Sequence, residues 1–140
     1  MQDISTFISL HPLLSFATVL VFVLVLIVEL MRARQKSSFL TPLQLTQLIN
    51  HQNAAVVDLR GEDVYRKGHI IDAYSIKPED LKNHPKKLEK FKSRPIIFVC
   101  SNGLESQKIA AFWLKQGYNS NALNGGMKSW HDAGLPVVKE

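Results

Sequence analysis

The pattern of hydrophobic positions divides the chain in two. From Leu13 to Val28 the residues LLSFATVLVFVLVLIV carry no charge, and the apolar run continues through Leu30 and Met31 with only Glu29 interrupting it. As a helix, the segment 13–31 spans about 28 Å at about 1.5 Å per residue, close to the roughly 30 Å hydrocarbon core of a bilayer. Pro12 suits a first helical turn, and Glu29 lies where its carboxylate can reach a headgroup layer. A cleaved signal peptide would carry Lys or Arg before the apolar run and a small-residue cleavage site after it, and neither is present. The stretch 1–12 holds no Lys or Arg, whereas Arg32, Arg34 and Lys36 follow the helix directly. The expectation is a single-pass transmembrane helix at 13–31. By the positive-inside rule the short N-terminal tail, 1–12, then lies outside and everything after the helix lies in the cytoplasm.

Beyond a basic linker at 32–40 the pattern becomes that of a globular α/β domain, 41–140. Thr41-Pro42 with Gln44 reads as an N-cap, an N1 proline and a capping box, opening a helix that runs to about His51. Ala54 to Asp58 (AAVVD) and Pro95 to Cys100 (PIIFVC) are short apolar runs rich in β-branched residues, the signature of strands buried on both faces of a parallel sheet. Weaker strands are expected at Ser75-Ile76 and at Asn121 to Leu123. Helical segments fall between them, at about Glu62 to Lys67, Pro78 to Phe91, Leu104 to Gln116 and Gly126 to Ala133. This alternation predicts an open, mostly parallel sheet flanked by helices. Ligands bind such sheets beyond the carboxyl ends of strands, which singles out the loops that begin at Asp58-Leu59-Arg60 and at Cys100.

Composition narrows this picture. The roughly 100 residues after the apolar segment suit one domain with one core, and 46% apolar with 21% charged residues excludes a disordered or collagen-like chain. The lone cysteine cannot form an internal disulfide and favours a reducing compartment. With five scattered histidines it offers no zinc spacing. Of the net charge of +5, the first 36 residues supply +1 and the remainder +4. Much of the basic character sits in KNHPKKLEKFKSR, Lys82 to Arg94. This cluster reads as a solvated helix face, with anionic lipid or an acidic partner as the alternatives. It lacks the interleaved aromatics of a nucleic-acid platform, so no nucleic acid is expected as a partner.

Cys100 ends an apolar strand and is followed by SNGLES and a helix. A helix N-terminus offers unpaired N–H groups and a partial positive charge that favour a thiolate and can cradle an anion. Gly103 permits a tight loop whose amides turn inward. On spacing alone the alternative stands beside this: Cys100 as a small buried apolar residue, as most free cysteines are.

Two further stretches flank that loop. VVDLRGEDVYRKGHI, Val56 to Ile70, closely resembles the first signature of rhodanese-like domains: an Asp-x-Arg pair, an acidic and aromatic pair, then Gly-His-Ile. LNGGMKSWHDAGLP, Leu123 to Pro136, is similar to their second signature. Cys100 falls between the two, where that family keeps its catalytic cysteine. The resemblance covers about Thr41 to Val138. One membrane helix followed by such a domain looks like the small anchored rhodanese-like proteins of Gram-negative inner membranes. The resemblance implies sulfur transfer: the Cys100 thiolate takes a sulfur atom from a donor such as thiosulfate and passes it on from a persulfide. It implies neither cofactor nor metal. The substrate loop would be Ser101, Asn102, Gly103, Leu104, Glu105 and Ser106. Asp58 and Arg60 would support it mainly as structural residues, with His69 a framework residue and Trp130 core.

The loop departs from the family in charge. Active members usually read Cys, Arg, Ser, Gly, any residue, Arg, then Ser or Ala, so both arginines are missing here and Glu105 replaces the second. Two unit charges about 5 Å apart at an effective dielectric of about 20 repel by about 3 kcal/mol. A helix terminus offers about 0.3 to 2 kcal/mol in the opposite sense. A Glu105 turned to the loop centre therefore opposes a thiolate and an anionic donor, whereas one turned to solvent is largely screened. The expectation is a persulfide-competent Cys100 with weak or absent thiosulfate turnover. Related phosphatases have a loop one residue longer and an arginine six positions after the cysteine, where Ser106 stands. Two readings follow: a membrane-tethered sulfurtransferase or sulfur carrier with a protein acceptor, or a non-catalytic interaction module that contacts membrane proteins.

Overall fold

In the computed structural model, which describes residues 2–36 and 39–140, the chain separates into two compact units, 1–36 and 37–140. The first unit is helical over its described residues except at His11. Helix α1 (Gln2–Leu10) gives way to α2 (Pro12–Lys36) at His11, because Pro12 has no N–H to continue the hydrogen-bond ladder. One stretch of α2, Pro12–Met31, is long and apolar enough to cross a membrane, with mean hydropathy 2.8 and no buried residue in its apolar window. Its two hydroxyls bond to backbone carbonyls four residues back: Ser15 Oγ donates to the His11 carbonyl at 3.0 Å and Thr18 Oγ1 to the Leu14 carbonyl at 2.8 Å. The segment expected as an N-terminal tail is thus mostly helix. The linker expected over 32–40 is shorter than its composition suggested: α2 persists to Lys36, positions 37 and 38 lie outside the described residues, and Phe39-Leu40 belong to the sheet.

In the second unit Thr41 caps α3 (Pro42–Gln52) reciprocally: the Gln44 N–H donates to Thr41 Oγ1 at 3.2 Å and the Thr41 N–H to Gln44 Oε1 at 2.9 Å. The sheet contains β1 (Phe39–Leu40), β2 (Ala55–Asp58), β3 (Tyr74–Ser75), β4 (Ile96–Val99) and β5 (Ser120–Leu123) in the order β1-β5-β4-β2-β3, every pair parallel. All residues of β2 and β4 are buried, as strands covered by helices on both faces must be. Their alternate side chains serve two cores. Val57, Ile96 and Phe98 pack under α5 (Pro78–Asn83) and α6 (Leu104–Lys115), with Leu81, Ala110 and Trp113. Val56, Ile97 and Val99 pack under α3, α4 (Glu62–Lys67) and α7 (Gly126–Asp132), with Leu45, Tyr65 and Trp130.

The long helix expected from Pro78 to Phe91 is instead α5 followed by a 3-10 turn, Pro85–Phe91. Pro85 cannot donate to a helical carbonyl and its ring crowds the turn before it, so the helix stops at Asn83. Edge strand β1 was missed by sequence because two residues carry no readable period. Only its register against β5, Phe39 beside Ala122 and Leu40 beside Leu123, identifies it.

Candidate active site

Strands β2 and β4 lie side by side with Asp58 level with Val99, so the loops after them emerge together at the carboxyl edge of the sheet. The Leu59 amide still donates to the Val99 carbonyl, at 2.8 Å. Cys100 comes next after Val99. It is 4% exposed, and its sulfur points into the loop rather than into either core.

The loop wraps that sulfur with donors. The Gly103 N–H approaches Sγ at 3.1 Å and the Ser106 N–H at 3.5 Å, while Ser106 Oγ lies 3.3 Å away. As a thiol, Cys100 donates to Ser106 Oγ; as a thiolate, it can accept from the two amides and from that hydroxyl. Ser106 is fully buried and its hydroxyl also reaches the Gly103 carbonyl at 3.2 Å. This is a partly positive concavity built from amides at the start of α6, with no cationic side chain in it. Among the described residues no three His, Cys, Asp or Glu side chains gather in a way that would hold a metal ion.

Three glycines make the wrap possible. Gly103 has φ +91, and a Cβ there would meet the Gly125 nitrogen at 2.9 Å. The start of α7 holds the loop from the opposite side, where the Met127 N–H donates to the Cys100 carbonyl at 2.8 Å and the Lys128 N–H to the Ser101 carbonyl at 3.1 Å. The Gly125-Gly126 pair is therefore part of the site's frame, a role that sequence reasoning did not give it. The doubled glycine before a helix start was the available signal.

The remaining loop residues face outward. Asn102 Oδ1 accepts the Leu104 N–H at 3.1 Å, bracing the first turn of α6, and stands 4.0 Å from Cys100 Sγ. Leu104 is 64% exposed. Glu105 is exposed and lines a groove beside the loop together with Lys82, Lys108 and Phe112.

Asp58 and Arg60 form a clamp under the neighbouring loop. Arg60 Nη2 meets Asp58 Oδ2 at 2.7 Å, Nε lies 3.0 Å from Oδ1, and the same Nη2 donates to the Gly68 carbonyl at 2.7 Å. These contacts use Nε and Nη2 of the guanidinium, with the Arg60 and Asp58 side chains 8% and 1% exposed. His69 is buried, its Nδ1 2.9 Å from the Tyr65 carbonyl and its ring stacked on the Tyr65 ring at 3.8 Å. Tyr65 donates to the Ala73 carbonyl at 2.6 Å. Burial, then the negative charges of Glu140 and Asp58, push the Tyr65 phenol above its ordinary value. Trp130 is buried in the core and its Nε1 donates to the Pro136 carbonyl at 3.0 Å.

A parallel sheet of this order, carrying a cysteine in an amide-lined loop at its carboxyl edge, defines a rhodanese-like domain. The rhodanese-like domain model matches residues 41–133, and the chain belongs to that family. It is 36% identical over 141 residues to the protein YibN of Escherichia coli strain K12, with 99% of both chains covered. It is 32% identical over 91 residues to the thiosulfate sulfurtransferase GlpE of Shewanella oneidensis, covering 64% of this chain and 88% of that relative. Among solved structures, a rhodanese-related protein from Thermoplasma volcanium superposes with TM-score 0.66 at 27% identity, covering 72% of this chain and 97% of that one.

Proposed function

We propose that this protein is a membrane-anchored sulfur carrier or sulfurtransferase that works through a persulfide on Cys100, with low turnover of thiosulfate. The observation that carries the reading is the approach of the Gly103 and Ser106 amides to Cys100 Sγ, at 3.1 and 3.5 Å, which suits both a thiolate and the terminal sulfur of a persulfide. The similarity to GlpE supports the reaction class. In the first half-reaction the Cys100 thiolate attacks the outer sulfur of thiosulfate, and the sulfur–sulfur bond of the donor breaks. Sulfite leaves with the electron pair and Cys100 holds the persulfide. In the second half-reaction a nucleophilic acceptor attacks the outer sulfur and the Cys100 thiolate is regenerated. Gly103 and Ser106 serve both steps by holding the negative sulfur. Arg60 is paired with Asp58 through Nε and Nη2 and bonded to the Gly68 carbonyl, and Glu105 brings negative charge to the first turn of α6. A dianionic donor thus meets backbone dipoles and the Ser106 hydroxyl in the loop, but no cationic side chain of the loop itself.

The apolar helix Pro12–Met31, with Arg32, Arg34 and Lys36 directly after it, supports a single-pass anchor in the inner membrane, N-terminus outside and catalytic unit in the cytoplasm. Intact-mass measurement of the full chain after incubation with a sulfane-sulfur donor tests the chemistry. Gain of one sulfur atom, lost in Cys100→Ser, is the expected outcome, and no gain with any donor sinks the proposal. The second reading, a non-catalytic interaction module at the cytoplasmic membrane face, is favoured by the absence of a cationic side chain from the Cys100 loop. Under that reading a membrane-protein partner is retained by Cys100→Ser while no persulfide forms.

A further inference from the structure

Helix α6 has two working faces. One holds Ser106 against the Cys100 sulfur at 3.3 Å and packs Ala110 into the core. The other, beginning at Glu105 and continuing through Lys108, Ile109 and Phe112, faces Leu81 and Lys82 of α5 across a groove of about 630 Å³. The groove is apolar at its base, where Leu81 is 2% and Trp113 7% exposed, yet the Phe112 ring at its side is 56% exposed. An open apolar channel with an aromatic wall is surface that water covers poorly and a partner covers well.

Its rim is charged and unmatched. Lys82, Lys108 and Glu105 form no ion pair or side-chain hydrogen bond with any described residue, whereas Lys87 is paired with Asp80 and Arg66 with Glu62. Glu105, Lys108, Phe112 and Gln116 line the groove at helical spacing, a stripe about 16 Å long and so about three turns of an opposing helix. The end marked by Glu105 adjoins Ser106, which touches the sulfur.

The geometry points to this groove as the seat of an amphipathic helix of the sulfur-accepting protein. Its apolar face would lie on Phe112 and Leu81. Acidic flanks would meet Lys82 and Lys108, and a basic residue and a cysteine would stand at the end beside Glu105. The accepting role rests on the persulfide reading, whereas the seat itself does not. In the transfer step the partner's thiolate attacks the outer sulfur of the Cys100 persulfide and the bond between the two sulfurs breaks. Cys100 recovers its thiolate, and the partner's cysteine becomes the persulfide without any external oxidant or reductant.

Two stapled synthetic helices of three turns test this, with the same leucine face and the same terminal cysteine. One carries Glu flanks and a Lys beside the cysteine; the other has every charge inverted. Titrated into the full chain in detergent micelles, the Glu-flanked helix is expected to bind about tenfold tighter or better, shifting the amide resonances of Leu81, Ile109 and Phe112. Phe112→Ala weakens it by about tenfold, and Lys82→Glu with Lys108→Glu inverts the preference. Equal affinity for both helices, or shifts confined to other elements, overturns the inference. So does a groove whose resonances move with phosphatidylglycerol content in nanodiscs, which would make lipid the occupant, or a dimer dissociated by Phe112→Ala, which would make it a second copy. Persulfide loading of Cys100 is read separately. If the Glu-flanked helix binds but takes no sulfur from the loaded chain, the seat stands and the sulfur-transfer reading falls.

Discussion

Gly126 lies so close to the Cys100 carbonyl that a Cβ placed on it would be in steric overlap with that oxygen, and would also come within 2.7 Å of the Gly103 nitrogen. Two helix starts, those of α6 and α7, meet there through backbone atoms alone. Gly126 also has φ +60, where an L side chain costs about 1 kcal/mol before any clash. Gly126→Ala is therefore expected to force the loop away from α7. It should lower domain stability by about 3 kcal/mol in denaturant unfolding and reduce persulfide formation by the folded fraction. Ala at Gly61, where a Cβ meets nothing within 4 Å and φ is −61, is the control and should change little.

Loss of the Asp58–Arg60 pair should act on stability and leave the chemistry in place. Arg60→Ala leaves the Asp58 carboxylate, 1% exposed, without the guanidinium that neutralises it, and removes a donor from the Gly68 carbonyl. Breaking a buried pair from one side costs about 3 kcal/mol, on the order of a 15 °C drop in Tm for a domain of this size. Calorimetry should register that loss, while persulfide formation per folded molecule below the transition stays near the parent value. A selective loss of persulfide in a fully folded Arg60→Ala protein would instead place Arg60 in the reaction.

Ser106 separates support of the sulfur from support of the fold. Its hydroxyl is 3.3 Å from Cys100 Sγ and 3.2 Å from the Gly103 carbonyl, and it is fully buried. Ser106→Ala keeps the Ser106 amide on the sulfur and removes one hydrogen bond worth about 1 kcal/mol to the charged form. Persulfide formation from one donor at fixed pH should slow by about fivefold per folded molecule, while urea unfolding loses no more than about 1 kcal/mol. An unchanged rate per folded molecule would mean that the hydroxyl only fixes the loop.

The alternation of strands and helices was legible because β2 and β4 are continuous apolar runs and α3 carries its own capping box. Cys100 could be placed at the mouth of the loop for the same reason, since a buried strand leading straight into a glycine-containing turn leaves few other positions for it. What escaped was set by contacts distant in sequence. Phe39-Leu40 become a strand only because the edge of β5 is free to receive them. Gly125-Gly126 become part of the site only when α7 folds back onto the Cys100 loop. The direction of Glu105 likewise depends on how α6 is rotated against the sheet, and its exposed place beside Lys108 resolves the alternatives that the spacing left open.

Tyr65 links the fold to alkaline pH. Its phenol is raised by burial and by the charges of Glu140 and Asp58, so the folded state holds its proton above the unfolded value of about 10. A group raised in the folded state adds stability below its unfolded pKa and loses it as pH climbs through the folded one. Tyr65→Phe also deletes the bond to the Ala73 carbonyl and should cost about 1 kcal/mol at neutral pH. The gap between the two proteins should then narrow as pH rises above about 10, measured by urea unfolding at stepped pH. A gap that widens with alkalinity would contradict the direction of the shift.

Glu105 tests whether charge beside the loop limits the use of thiosulfate. The amides around Cys100 give the site a partial positive charge, and an exposed carboxylate in the first turn of α6 opposes it through solvent rather than through the protein interior. Replacing that carboxylate by a guanidinium changes the local charge by two units facing a dianion. Glu105→Arg is therefore expected to raise kcat/KM for thiosulfate by about tenfold at low ionic strength, mostly through KM. Because the side chain is exposed, the gain should shrink to about two- or threefold near 0.5 M salt. Glu105→Gln, which removes one unit of charge and adds no donor fork, should give an intermediate gain with the same salt dependence. If neither variant moves KM at any salt concentration, charge at Glu105 does not set thiosulfate use.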